Sequence, residues 1–261
     1  MNGALWVSKT GLSAQDTALR VISNNLANVS TMGFKRDRAM FEDMLYQIDK
    51  QPGGLSTQEY QLPSGLQLGT GVRTAGTQKV FSQGTLQVTE QPLDMAINGQ
   101  GFFQITMPDG SISYSRDGQF SLNSEGQIVT TNGLPLEPAI TIPENTKNIT
   151  IGQDGVVSVL TAGATSPTEV GTIQLANFVN PAGLEAIGDN LFRETTASGT
   201  PQVGTAGLDG LGSLKQGSLE NSNVSVVEEM VNMITTQRAY EMNSKVISTA
   251  DQMLQYLGQT L

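Results

Sequence analysis

The 261-residue chain contains no cysteine and no histidine. Without cysteine there are no disulfides and no thiol chemistry, and the redox compartment leaves no mark on the sequence. Such a chain can be unfolded, moved and refolded without bridge reshuffling. Without histidine it lacks the commonest acid–base group and metal ligand of neutral-pH chemistry. A Ser-His-Asp or Cys-His site is excluded, and a structural zinc site is disfavoured. Basic residues are scarce: 14 Lys and Arg stand against 24 Asp and Glu, for a formal net charge of -10. That balance argues against a nucleic-acid partner and against anchoring on anionic lipid. No apolar run reaches the roughly 18 residues of a membrane span, so no direct membrane insertion is expected. The opening "MNGALWVSKTGLSAQ" has no basic n-region followed by an apolar h-region. No Sec-type signal is visible, and work outside the cytoplasm would need another export route.

Charged residues make up 15% of the chain, while glycines number 29, a balance that favours turn-rich β structure. The one basic cluster, Lys35, Arg36 and Arg38 beside Asp37, reads as a solvated loop. Asp109, Asp117, Glu125 and Asp154 sit next to glycine, where turn chemistry explains them without catalysis. No calcium-loop spacing occurs. The glycine clusters "NGQGFF" (98–103) and "GLDGLG" (207–212) lie outside any strand-to-helix context, which makes a nucleotide site a weak reading. No catalytic, cofactor or metal site is expected.

From Asn2 to about Val29 the apolar residues follow a helical period, with Leu5, Leu12, Leu19 and Leu26 seven apart. Ala4, Ala18, Val21, Ile22 and Val29 widen the stripe, and Gly33 suits a C-terminal stop. Near the other end Val226, Met233, Tyr240, Ile247, Leu254 and Leu261 are also seven apart, with Asn221, Ser222 or Asn223 as the candidate N-cap. Two such stripes call for partners: each other as an antiparallel pair, or copies of themselves in coiled-coil-like packing.

Between them, 46–70 lacks a steady period and contains Pro52-Gly53-Gly54 and Pro63-Ser64-Gly65, which predicts an extended loop or loose hairpin. From Val72 the turns at Asp109-Gly110, Asp117-Gly118, Glu125-Gly126 and Asn132-Gly133 predict a meander of short antiparallel strands. A second β-type portion follows, and the glycine-rich 204–218 reads as a connector to the last helix. The expected class is α+β: long N- and C-terminal helices, a coiled-coil-like pair, enclosing an inserted all-β domain. The expected divisions are 1–45 with 217–261 as a discontinuous helical assembly domain, 46–70 as linker or hairpin, and 71–216 as a β-rich outer domain.

Two stretches at opposite ends carry a likeness. "NNLANVSTMGFK" (24–35) and "LENSNVSVVEEMVNMITTQRAYEMNSKVISTADQML" (219–254) resemble the N- and C-terminal signatures of the bacterial flagellar rod and hook family. "LDMAINGQGFFQI", "YSRDGQFSLNSEGQIVTTNGLPLEP" and "IQLANFVNPAGLEAIGDNLFRET" look like the family's β-domain text, so the resemblance covers nearly the whole chain. Hook proteins are usually longer, and 46–70 looks like the added loop of a distal rod subunit.

What the resemblance implies is a structural protein with no enzymatic activity and no cofactor. Its expected place is the periplasm-spanning rod of the basal body, reached through the flagellar type III export apparatus without a cleaved signal. There it would polymerise into a rigid helical tube that carries motor torque to the hook and encloses the export channel. Implied partners are other copies of itself, the proximal rod proteins, the hook protein or hook junction, and the surrounding P-ring and L-ring proteins. The assembly residues expected on the first helix are Leu5, Leu12, Leu19, Ile22, Asn24, Asn25, Leu26 and Asn28. On the second they are Val226, Met230, Met233, Gln237, Arg238, Tyr240, Ile247 and Leu254. An amide both donates and accepts, so Asn24, Asn25 and Asn28 could fix register in a dry helical layer. A lone subunit buries both stripes poorly, so the termini are expected to order on docking. The alternatives are a proximal rod or hook-type axial protein of the same family, or a secreted β-rich adhesin with coiled-coil ends.

Overall fold

The periodic ends become helices in the computed structural model, α1 (Asn2–Ala27) and α2 (Val226–Thr260), with every strand between them in the chain. The class is α+β with a helix at each terminus. The described residues are 2–51, 64–163 and 166–260, and the side chains of Asn2, Leu254 and 257–260 lie outside that description. Two compact units are present, one of Met1–Ala27, Asp37–Gln78 and Ser225–Leu261, the other of Asn28–Arg36 and Lys79–Val224. Residues 71–78, which the sequence grouped with the β-rich portion, belong to the first unit because they complete its ribbon.

In the first unit, α2 starts from Ser225, whose Oγ faces the Glu228 amide at 3.5 Å and whose carbonyl accepts from Glu229 at 3.0 Å. Glu228 and Glu229 then fall in the first turn, where carboxylates suit the helix dipole. The expected caps serve elsewhere: Asn221 and Asn223 bond residues 80–85, and the Ser222 hydroxyl accepts from the Val224 amide.

Four strands, β1 (Asp37–Asp43), β2 (Tyr46–Lys50), β3 (Leu66–Gly69) and β4 (Val72–Lys79), form a two-stranded ribbon in which β1 pairs with β4 and β2 with β3. Tyr46 lies opposite Gly69 and Ile48 opposite Gln67 in an antiparallel register. Within the segment read as linker or hairpin, β2 and β3 pair with each other, while 52–63, which include Pro52-Gly53-Gly54, lie outside the described residues. At the junction the Met44 amide donates to the Gly71 carbonyl at 2.9 Å. Gly71 has φ +124°, and a Cβ there would run into Thr10 Oγ1 of α1, so only glycine fits.

The second unit opens with β5 (Leu86–Val88), β6 (Met95–Asn98), β7 (Phe102–Thr106) and β8 (Ile112–Ser115). Then come β9 (Phe120–Leu122), β10 (Ile128–Thr130), β11 (Leu136–Glu137), β12 (Thr146–Ile151), β13 (Val156–Thr161) and β14 (Thr168–Thr172). The remaining strands are β15 (Gln174–Asn177), β16 (Glu185–Gly188), β17 (Leu191–Arg193), β18 (Gln202–Thr205), β19 (Ser213–Gln216) and β20 (Ser218–Glu220). The main sheet runs β16-β17-β8-β7-β15-β18, with β11 also on β7. Strand alternation sends β7 side chains to opposite faces. Phe103 and Ile105 enter a large aliphatic core, whereas Phe102 joins Tyr114, Phe178 and Phe192 in an aromatic one. There Tyr114 meets Phe178 edge to face at 4.7 Å.

Two expectations change. The meander breaks at Asp117-Gly118: β7–β8 and β9–β10 are hairpins, but β8 pairs next with β17 rather than β9. The reason is a close backbone approach, in which the Met95 amide donates to Gly118 O at 3.0 Å and a Cβ on Gly118 would overlap Met95 O. Residues 204–218 are not a connector either. Leu211 and Leu214 are buried in the main core, and β19 pairs with β6. The glycine clusters at 98–103 and 207–212 meet here: Gly212 N donates to Gln100 O at 2.7 Å, and a Cβ on Gly99 would lie 2.9 Å from the Gly212 Cα. Their glycines permit this close backbone contact.

Candidate functional site: an uncovered helix face and a buried clasp

On α2 a half-buried seam runs through Met233, Thr236, Ala239, Asn243, Ile247 and Ala250, spaced three and four residues apart. Asn243 faces α1, its Nδ2 lying 3.1 Å from where a Cβ on Gly11 would stand. Of the residues expected to assemble, Met233 and Ile247 lie in this seam. Val226, Met230, Gln237, Arg238 and Tyr240 are exposed, with Arg238 paired to Glu241 at 3.0 Å. The side chain of Leu254 is outside the described residues.

Opposite the seam is a second apolar stripe that the heptad reading missed: Val227, Val231, Ile234 and Met242, 54–74% exposed. At 100° per residue it falls about half a turn from Met233 and Ile247. The offset i, i+4, i+7 set was present in the sequence, hidden behind the stronger heptad. The outer side of α2 is interrupted by Arg238 and Lys245, but apolar residues on two opposite sides of a helix still suit it to being enclosed. The ribbon is uncovered as well, with Leu45, Tyr46, Ile48, Leu66 and Leu68 all exposed.

On α1, Leu5, Leu12, Leu19 and Leu26 are half-buried and Ile22 is buried. The asparagines separate. Asn24 is exposed, and Asn28 accepts from the Thr31 hydroxyl at 3.2 Å. Asn25 is buried and closes on the Asp37 backbone, accepting from its amide at 2.8 Å and donating to its carbonyl at 2.9 Å. Its amide therefore clamps the start of β1 to the end of α1.

The second unit holds a cluster that the sequence reading placed in solvent. Lys35, expected in a solvated loop, is 1% exposed. Its Nζ donates to Glu220 Oε1 at 2.6 Å and to the Ser82 carbonyl at 2.8 Å. Arg116 Nη1 reaches Glu220 Oε2 at 3.3 Å, and Nη2 donates to Gly99 O at 2.8 Å. The Gly84 amide adds a third donor to the carboxylate at 2.8 Å, while the Glu220 carbonyl accepts from Gly33 at 2.8 Å. Desolvation pulls both cations below their ordinary pKa, and Glu220 opposes it in each case. Gly33 is thus no helix stop. Its φ of +68° and missing Cβ let the backbone lie against Arg116 and Asp117, 2.6 Å from where a Cβ would stand. Asn223 completes the cluster, accepting from the Arg36 amide at 2.8 Å and donating to the Val80 carbonyl at 2.7 Å.

Breaking such a buried cluster by removing one partner typically costs about 3–5 kcal/mol, because the remaining charge is stranded. Its polar contacts are internal: Lys35, Arg116 and the Gly84 amide reach the Glu220 carboxylate, and the cations also donate to the Ser82 and Gly99 carbonyls. Among the described residues no group of three or more acidic side chains could hold a metal. The turn carboxylates do turn work, Asp109 accepting from the Ser111 amide and hydroxyl and Asp154 from the Val156 amide.

Residues 5–35 match the family "Flagella basal body rod protein", 96–159 the "Flagellar hook protein FlgE/F/G D1 domain", and 215–260 the "Flagellar basal body rod FlgEFG protein C-terminal". The flagellar basal-body rod protein FlgG of Buchnera aphidicola subsp. Schizaphis graminum is 58% identical over 98% of both chains. The FlgG proteins of Caulobacter vibrioides and Bacillus subtilis are 50% and 37% identical over 98% and 97% of both chains. The chain belongs to the flagellar basal-body rod protein family. Within this rod-family chain the two terminal matches carry the two halves of the clasp, Lys35 in the first and Glu220 in the last. The first covers most of α1 and the last all of α2, with its uncovered apolar stripe, while Arg116, the other cation of the cluster, falls in the 96–159 match.

Proposed function

We propose that this chain is a structural subunit of the flagellar basal-body rod, of the distal type, and acts by polymerising. The observation that carries the reading is α2, apolar on two opposite faces with only one turned to α1. End-to-end similarity to proteins named FlgG supports the distal assignment. The terminal helices pair in coiled-coil fashion and form the inner layer of a helical tube around an export channel, with the β-rich unit outside. Expected neighbours are further copies, proximal rod proteins below, the hook side above, and the P- and L-rings around the shaft. The subunit reaches the periplasm through the type III apparatus, and its role involves no catalytic step.

Burying each large aliphatic side chain of the stripe contributes about 1.5–3 kcal/mol, which offsets the ordering of the helices once neighbours supply the other wall. Proteolysis of the unassembled chain tests this: cleavage is expected in α1 and α2 well before the β-rich unit. Equal resistance throughout would overturn it. The ribbon is assigned to bridging neighbours, where its exposed Leu45, Tyr46, Ile48, Leu66 and Leu68 suppress sliding and stiffen the shaft. Replacing residues 46–70 by a short turn is expected to give bent or pliable tubes in electron micrographs. Tubes that remain straight would remove the ribbon from that role.

A further inference from the structure

The last strands of the second unit are stitched to nearly everything that precedes them. The Gly212 amide donates to Gln100 O, Leu214 to Gln153 O at 3.0 Å, and Gly217 to Asp94 O at 2.8 Å. The Gln216 amide group donates to the Pro92 and Ile149 carbonyls and accepts from the Ile151 amide. Among the described residues β19 is the strand partner of β6, and β20 that of β5. Leu211 and Leu214 fill the main core. Glu220 then supplies the anion for Lys35, 185 residues earlier in the chain, and for Arg116.

We propose that residues 211–223 act as a folding gate: the second unit stays open until this segment arrives, and the Glu220 carboxylate closes it. Before it docks, β5 and β6 lack their strands, the core lacks two leucines, and two cations have no counter-charge in a site that excludes water. A chain with Lys35 and Arg116 buried but no Glu220 carries two stranded charges, so early closure is disfavoured by the cost that breaks ion clusters. If the chain passes the type III apparatus proposed above in an unfolded state, the gate keeps the second unit open until nearly all of that unit has passed. The gate itself concerns one unit of one chain and stands whether or not tubes form.

Pulse-labelled hydrogen exchange during refolding of the full chain tests it. The Gly33 and Gly84 amides, both bonded to Glu220, are expected to gain protection in the same kinetic phase as the β7 amides of Phe103 and Ile105. Protection of β7 in an earlier resolved phase, with Gly33, Gly84 and Leu214 following, would overturn the gate. A charge test accompanies it. Glu220→Gln strands both cations and is expected to lower the ratio of folded to unfolded chain at least about a hundredfold. Lys35→Met leaves the Glu220–Arg116 pair intact and is expected to lower it less than tenfold. Lys35→Met with Glu220→Gln should fold better than Glu220→Gln alone. A Lys35→Met chain as unstable as Glu220→Gln would sink the assignment of closure to the carboxylate, and this comparison holds even if Glu220→Gln fails to fold.

Discussion

Asn25 stands in the last turn of α1 although asparagine is a poor helix former, and its side chain makes both bonds that a neighbouring strand would make to Asp37. Asn25→Leu keeps the size and removes both bonds. It is expected to cost about 1–3 kcal/mol, since orphaned backbone groups lose partners without regaining water. Faster exchange of the Asp37 amide in assembled tubes, with helix content retained, would show it; an unchanged amide would contradict the clamp. Tyr114 gives a prediction in pH. Burial first and the Glu194 charge second push its hydroxyl up to about 12 from an ordinary 10.0. The folded chain keeps this proton where the unfolded chain has lost it. The stability it contributes is complete below about pH 10 and lost as pH rises through about 12. Tyr114→Phe should flatten that part of the alkaline denaturation curve, and an unaltered curve would assign the slope to other groups. Lys35 marks the limit of reading at this scale. A Lys-Arg-Asp-Arg run says solvated loop by composition, and the carboxylate that decides otherwise lies far away in sequence.

Both helices were legible as elements because their periods are local properties of the chain. Strand pairing was legible only where a turn joins neighbours, as at Asp109-Gly110 and Glu125-Gly126. β8 with β17 and β6 with β19 join residues that no local pattern links. The glycine-rich run at 204–218 misled for a related reason: glycine marks flexibility and close backbone approach alike. The uncovered stripe of α2 was half legible, since the heptad residues turned out to mix seam and surface. Ile234→Lys, at the middle of the stripe, keeps a good helix former on a solvated face. Folding stability of the lone chain is expected to stay within about 0.5 kcal/mol, while tube formation is lost. Ile234→Leu serves as control. Tubes formed normally by Ile234→Lys would mean that the face opposite the seam remains solvated in the assembly, and the two-sided helix would need another explanation.

At the scale of the whole molecule the net charge of -10 becomes the dominant long-range term. Copies that pack into a tube bring that charge into one another's field, and the repulsion opposes the apolar burial that drives them together. Screening acts mainly on the repulsion: the Debye length falls from about 30 Å at 0.01 M salt to about 10 Å at 0.1 M. Raising ionic strength over that range is therefore expected to lower the concentration at which tubes appear. The fold of the lone chain should respond little, because the Lys35–Glu220–Arg116 cluster lies out of reach of mobile ions. Sedimentation of polymer against salt, with unfolding of the unassembled chain measured in parallel, separates the two effects. The opposite trend, with tubes dissolving as salt rises, would mean that complementary charges on facing copies hold the shaft together. The exposed Arg73–Glu42 pair on the ribbon would then be the first place to look for such a contact. The expected trend leaves apolar burial along α2 and the ribbon as the adhesive, and gives the acidic surface the work of keeping subunits apart until they are concentrated at a growing end.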